Sequence, residues 1–317
     1  MMGIDLGVVS AVFRKDMRQY LGNPTGYVFL TLFIATTAAA AFLQDGFFAR
    51  NLADLAELNA MMPAILMFFV PAITMGAWAE ERRGGTDELL LTMPVRDVEV
   101  VLGKYLGVLG MYAISLAFSL SNVGVLMYLG DPDTGLMAST YLGYLLMGAL
   151  FCAIGLVASM LTKNATVAFI LGALGCAGLV FAGTQPWASG LLGAALVGAA
   201  AALTTFALTN KGSAAGIGGL VGGLAATFAW LVAGRGSETA TETETATEAG
   251  AEAATEVGAD ALRDGNSFAD LFDALSVTDH VASFGEGVVR LGDVLYFAGG
   301  IAVLLYLASF LLGRRHW

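Results

Sequence analysis

Fifteen consecutive residues combine charge, turn formers and an apolar run: Glu80-Glu81-Arg82-Arg83-Gly84-Gly85-Thr86-Asp87-Glu88-Leu89-Leu90-Leu91-Thr92-Met93-Pro94. Their types suit docking rather than bond-breaking. Gly84-Gly85 permits a sharp backbone turn. Thr86 can cap a short helix, and Asp87 and Glu88 favour the positive end of that helix. Leu89, Leu90, Leu91 and Met93 offer an apolar surface, and Pro94 ends the element. The pattern predicts a short helix flanked by the four charges Glu80–Arg83 and able to lie in a groove on a soluble partner. On physical grounds alone, a surface loop with membrane-anchored leucines fits equally well.

Catalytic chemistry is poorly supplied elsewhere. The two histidines, His280 and His316, lie outside the long apolar stretches, and those stretches carry no Asp, Glu, Lys, Arg or His in their interiors. Intramembrane hydrolysis needs a nucleophile with a base, or metal ligands. Proton- and ion-coupled transporters usually place ionisable groups at mid-membrane. No G-x-x-x-x-G-K-[ST] phosphate loop occurs, so energy for uphill movement must enter from another chain. Cys152 and Cys176 sit in apolar segments outside any C-x-x-C pair, which fits small buried side chains rather than a disulfide scaffold or zinc site. Ser115, Ser119, Ser121 and Asn122 share one apolar stretch. They either line a pathway, for which Ser115, Ser119 and Asn122 are the candidates, or bond between helices. No catalytic, cofactor-binding or metal-ligating residue is expected.

The elements that must position this loop are transmembrane helices. Of the 317 residues, 57% are hydrophobic and 13% charged, with a mean hydropathy of +0.75. Soluble domains run nearer 45–50% and about 25%, so the apolar excess must face lipid. Eight stretches reach spanning length: Gly26–Leu43, Met61–Trp78, Tyr105–Leu129, Tyr141–Leu161, Ala165–Ala182, Trp187–Leu208, Ala214–Ala233 and Val294–Leu312. The expected fold is an all-α integral membrane bundle of about eight spans, with six as the alternative count. Lys and Arg concentrate in alternate loops: Arg14, Lys15 and Arg18; Arg82, Arg83 and Arg96; Lys163; Lys211; Arg314 and Arg315. The positive-inside rule then places both termini in the cytoplasm.

The chain divides accordingly. Residues 1–24 form an interfacial helix, in which Val9, Phe13, Met17 and Tyr20 recur at helical spacing opposite Arg14, Lys15 and Arg18. That basic, interrupted start does not read as a secretory signal. Residues 25–183 hold five spans, with the docking loop at 80–97. Residues 187–234 form a small-residue hairpin containing Gly218-x-x-x-Gly222, a spacing that allows close helix packing in lipid. Residues 235–267 form a Thr/Glu/Ala linker without the apolar content to bury a core. Its stretch from Ser237 to Asp260 holds six Glu and one Asp without a cation, which supplies much of the net charge of −11. Such acidity argues against a nucleic-acid partner. Residues 268–291 form an amphipathic segment outside the cytoplasm, and 292–317 the last span with its tail.

Glu80–Pro94 strongly resembles the E-E-R-R-S-G-T-x-E-L-L-L-T-x-P signature of ABC-2 type permeases, and looks closest to the gliding-motility and copper-enzyme-maturation group. Val95–Leu106, with Asp97, Glu99, Gly103 and Lys104, resembles that group too. So do Lys15, Asn23 and Pro24 at the start, and Leu275–Tyr296 with His280, Phe284, Gly287 and Asp293 near the end. Gly84 stands where Ser is common and Asp87 where Leu is common. The resemblance covers 1–183 and about 268–317; Trp187–Glu256 is an insertion whose two added spans would preserve topology.

The resemblance implies that the chain is no enzyme but the membrane half of an ATP-driven exporter in the cell inner membrane. Its ATP and Mg²⁺ would be held by a partner ATPase, and a second permease copy or a related permease would complete the pathway. It further implies that the loop contacts that ATPase through Glu80, Glu81, Arg82, Arg83, Gly85, Thr86, Glu88, Leu89, Leu90, Leu91 and Pro94. A non-transporting membrane scaffold using the same loop is the competing reading. An ion-coupled transporter is a weaker third, given the empty span interiors. No motif names a substrate.

Overall fold

In the computed structural model, residues 5–43, 54–86, 95–130, 132–182 and 275–313 are described. The chain divides into two compact units, Met1–Ala177 with Thr278–Trp317, and Gly178–Val277. The second is described only at its two edges, so the expected spans at 187–208 and 214–233 and the acidic linker at 235–267 lie outside the described residues.

All regular structure among the described residues is helical. Leu6–Gly22 (α1) starts on Asp5, whose carboxylate accepts from the Gly7 amide. Pro24–Phe42 (α2) follows at once. Asn23 caps it and Pro24 occupies the first turn, where a missing N–H costs nothing. Ala56–Thr74 (α3) and Gly76–Gly84 (α4) abut at Met75, and Asp97–Ser119 (α5) and Ser121–Leu129 (α6) abut at Leu120. Thr134–Leu161 (α7) is capped by Asp133. Ala165–Phe181 (α8), Val277–Gly285 (α9) and Leu291–Gly313 (α10) complete the set.

Five of these helices, or abutting pairs, are long and apolar enough to cross a membrane: Pro24–Phe42, Ala56–Gly84, Asp97–Leu129, Thr134–Leu161 and Leu291–Gly313. Ala165–Phe181 is apolar but shorter. The observed helices run past the apolar stretches that announce them. α5 begins eight residues before Tyr105, which draws the basic border residue Lys104 into the helix and its packing.

The central helix is α7. Phe151, Cys152 and Met147 are wholly buried in it, and it packs against α3, α5 and α10. Tyrosine hydroxyls tie these helices to one another. Tyr112 donates to the Tyr144 carbonyl at 2.7 Å, Tyr141 to the Ser119 carbonyl at 2.9 Å, and Tyr144 to Asn59. At one end, Ser139 donates to the Phe284 carbonyl at 2.9 Å. There Asp293 holds α9 against α10, lying 2.7 Å from His280 Nδ1 and 2.5 Å from Ser283 Oγ. The opposite end carries α1 and α4.

α1, the expected interfacial helix, packs one face on protein. Its most buried residues are Val9, Val12 and Asp16, while Phe13, Met17 and Tyr20 are half-buried. The cause lies on α5. Gly103, Gly107 and Gly110 make one face of that helix bare, so α1 settles against backbone. A Cβ at Gly103 would stand 2.6 Å from Val12 Cβ, and one at Gly107 would stand 2.9 Å from Asp16 Cβ. The Gly-x-x-x-Gly spacing brings two helices together here as it does in lipid, and α1 is packed on protein as well as exposed through Arg14 and Arg18.

Candidate functional site

The stem that leads into the loop after α4 is held by three other helices. At Met75 the α3–α4 ladder is interrupted, and the freed backbone groups find side chains from three other helices. Ser159 of α7 accepts from the Trp78 and Ala79 amides at 2.9 and 3.1 Å and donates to the Met75 carbonyl at 3.1 Å. Its hydroxyl thus does for α4 what an N-cap residue does locally. Tyr20 of α1 donates to the Ile73 carbonyl at 3.2 Å. Lys104 of α5 donates to the Ala77 carbonyl at 2.8 Å. An unpaired backbone group in an apolar bundle costs several kcal/mol, so these contacts hold the joint in one arrangement.

Lys104 is the centre of a buried ionic cluster. It is 1% exposed, lies 2.9 Å from Glu81 Oε2 and 3.8 Å from Asp16 Oδ2, and its Nζ sits 4.8 Å from the centre of the Trp78 ring. Lys15 pairs with the other oxygen of Glu81. α1, α4 and α5 are therefore joined through charge at the foot of the loop. Asp16 has no hydrogen bond to either oxygen among the described residues. Burial pushes its carboxyl above the ordinary 3.8; Lys104 and Lys15 pull against that and Glu81 adds to it. Glu99 closes the same end: one oxygen accepts from its own N-cap at Arg96, 3.2 Å, and the other from the Asp5 amide, 2.9 Å.

The expected loop residues take different parts. Glu80 and Arg83 are exposed. Glu81 faces inward. Arg82 donates to the Met160 carbonyl and, at 3.4 Å, to the Thr162 carbonyl, so its cation caps the negative end of α7. Gly85 adopts φ 69°, the left-handed conformation that ends α4. Thr86 donates back to the Glu81 carbonyl at 3.3 Å. Glu88, Leu89, Leu90, Leu91 and Pro94 lie outside the described residues. Ser115, Ser119 and Asn122 are all buried. Ser115 and Ser119 bond their own helix, at Met111 and Leu116, and Asn122 approaches Thr37 of α2 at 3.4 Å.

Asp16, Lys104, Ser159 and Tyr20 are the residues whose place at the stem sequence reasoning missed. Two signals were available: the Val9, Val12, Asp16 register on α1, and the Gly103-x-x-x-Gly107 face of α5 that flanks Lys104. Ser159, about eighty residues from its partners, left none.

The chain is a multi-pass membrane protein in which, among the described residues, a buried ionic cluster joins three helices at the stem that follows α3. No curated protein and no solved structure matches it significantly. A family profile described as "ABC-2 family transporter protein" matches residues 23–189, more than half of the chain, from the cap of α2 through the loop and beyond α8. The chain therefore belongs to the ABC-2 family of transporters, as a membrane permease component.

Proposed function

We propose that this permease exports its substrate by coupling to a separate ATPase subunit that docks on Glu80–Pro94 from the cytoplasm. The observation that carries the reading is the stem. Glu81 and Arg82 anchor α4 to α1, α5 and α7, and Gly85 turns the chain toward the leucine run. A loop free to flex would dissipate a push from a partner. A loop whose foot is bonded to three helices transmits that push to them as a rigid body. Within the motif, Glu81 and Arg82 act as anchors, while Glu80, Arg83 and Leu89–Leu91 contact the ATPase.

In this reading both termini are cytoplasmic, the membrane is the cell inner membrane, and ATP and Mg²⁺ reside in the partner. The pathway forms between two permease subunits, and Ser115, Ser119 and Asn122 would reach it only as the helices part. The narrower kinship to the gliding-motility and copper-enzyme-maturation group rests on the loop signature. The inserted hairpin adds two spans, giving eight.

A pull-down of tagged protein in mild detergent tests the coupling. An ATPase chain should co-purify with the native protein and be lost with Leu89→Asp plus Leu90→Asp. Equal capture in both would move the contact elsewhere. No capture at all would favour a non-transporting scaffold.

A further inference from the structure

A cavity of about 290 Å³ opens beside the stem, between α1, α2 and the α3–α4 joint. It is near the small end of ligand pockets, about 300–1,000 Å³. Its two ends differ in chemistry. One is walled by Asp16, Glu80, Glu81 and Lys104. The other runs along Val28, Phe29 and Leu32 of α2 and Ile73 of α3. Val28 and Leu32 are 56% and 55% exposed, so this arm opens toward the bilayer that surrounds α2.

The charges at the polar end do not cancel. Lys104 already bonds Glu81 and the Ala77 carbonyl, and Lys15 bonds Glu81. Asp16 is only 6% exposed, lines the cavity, and receives no hydrogen bond from any described residue; Lys104 stays at 3.8 Å. Glu80 lies at the same wall and makes no ion pair among the described residues. Three carboxylates face two ammonium groups. A buried carboxylate lacking a donor is costly, and the missing complement is a cation that carries N–H groups. A metal ion would leave the apolar arm unused, and an anion would meet the carboxylates.

We propose that this cavity binds an amphiphile with a primary ammonium head, its nitrogen donating to Asp16 and facing Glu80, and its chain lying along Val28, Phe29, Leu32 and Ile73. Every residue in the site belongs to this chain, and Glu80, which also stands on the face assigned to the ATPase, is the one residue shared with that pairing. It also responds to pH. Protonated Asp16 offers no charge, so binding strengthens as pH rises above 3.8 through the raised value of that carboxyl, with Glu80, Glu81, Lys15 and Lys104 as the charged groups facing it.

The test uses the full chain in phosphatidylcholine nanodiscs and a photoreactive dodecylammonium probe, with its trimethylammonium and sulfate counterparts as controls. Saturable labelling of α1–α2 peptides by the primary amine is expected. Asp16→Asn should weaken it about tenfold or more, the effect of losing a charge-assisted hydrogen bond. Leu32→Trp, an exposed position, should block it while the thermal unfolding profile is kept, which separates occupancy from folding. Competition by phosphatidylethanolamine would identify a bilayer headgroup as the source. Competition by soluble alkylamine alone would identify a free amphiphile, and either result upholds the site. Equal labelling by all three probes, or labelling unchanged by both substitutions, would overturn it.

Discussion

Replacing Lys104 by Met is the most direct perturbation of the stem. The side chain keeps its length and loses its charge. At an effective dielectric of about 20, the attractions lost at 2.9 Å to Glu81 and 3.8 Å to Asp16 are about 6 and about 4 kcal/mol before desolvation. The folded state no longer bears the cost of desolvating an ammonium, which offsets several kcal/mol of that. The Ala77 carbonyl also loses its donor, at about 1–3 kcal/mol. Breaking one side of a buried pair costs about 3–5 kcal/mol net, and we expect a loss in that range. Glu81→Gln on the Lys104→Met background should restore part of it, giving a coupling of about 2 kcal/mol. Lys15→Met removes a half-exposed partner of the same Glu81 and should cost under about 1 kcal/mol. Unfolding free energies from SDS titration in mixed micelles, completed as a double-mutant cycle, measure all of these. Equal effects of Lys104→Met and Lys15→Met, or a Lys104–Glu81 coupling below about 0.5 kcal/mol, would refute a buried ionic anchor.

Three other outcomes follow from the same geometry. Gly103→Leu should push α1 off α5, because even a Cβ there meets Val12 at 2.6 Å; a loss of about 1–3 kcal/mol and faster proteolysis within residues 1–24 would register it. Ser159→Ala should cost about 1–3 kcal/mol by stranding the Trp78 and Ala79 amides, and hydrogen exchange at those two amides should rise while α2 stays protected. Asp16 should make stability fall with rising pH. Its folded value is raised above 3.8, so its contribution is full below 3.8 and is lost as pH rises through the raised value. The stability difference between wild type and Asp16→Asn should therefore be flat below 3.8 and turn against the wild type above it.

Much of this protein was legible without coordinates. Runs of about twenty apolar residues have few ways to exist other than as helices across lipid, because backbone groups there must pair within the segment. Hence five apolar stretches coincide with span-length helices. Local chemistry also announced itself: Asn23-Pro24 starts α2, and Gly85 turns the chain out of α4. Each depends on neighbours within a turn, and sequence records neighbours faithfully. The loop motif carried the family resemblance, which the profile match supports at the family level.

What the sequence left open are relations between residues far apart in the chain. Glu80, Glu81, Arg82 and Arg83 read alike as flanking charges, yet two face out and two anchor inward. That choice is made by Lys104 on α5 and by the carbonyl end of α7, about twenty and eighty residues away. Asp16 reads as one polar residue among the cations of an interfacial helix; only the bare glycine face of α5 turns it into a buried carboxylate beside Lys104. Apolar content decides which segments leave water, since burial free energy depends on area and hardly on direction. Which polar atoms meet inside is decided by orientation and by distances within a few tenths of an ångström, and these exist only once the helices have packed.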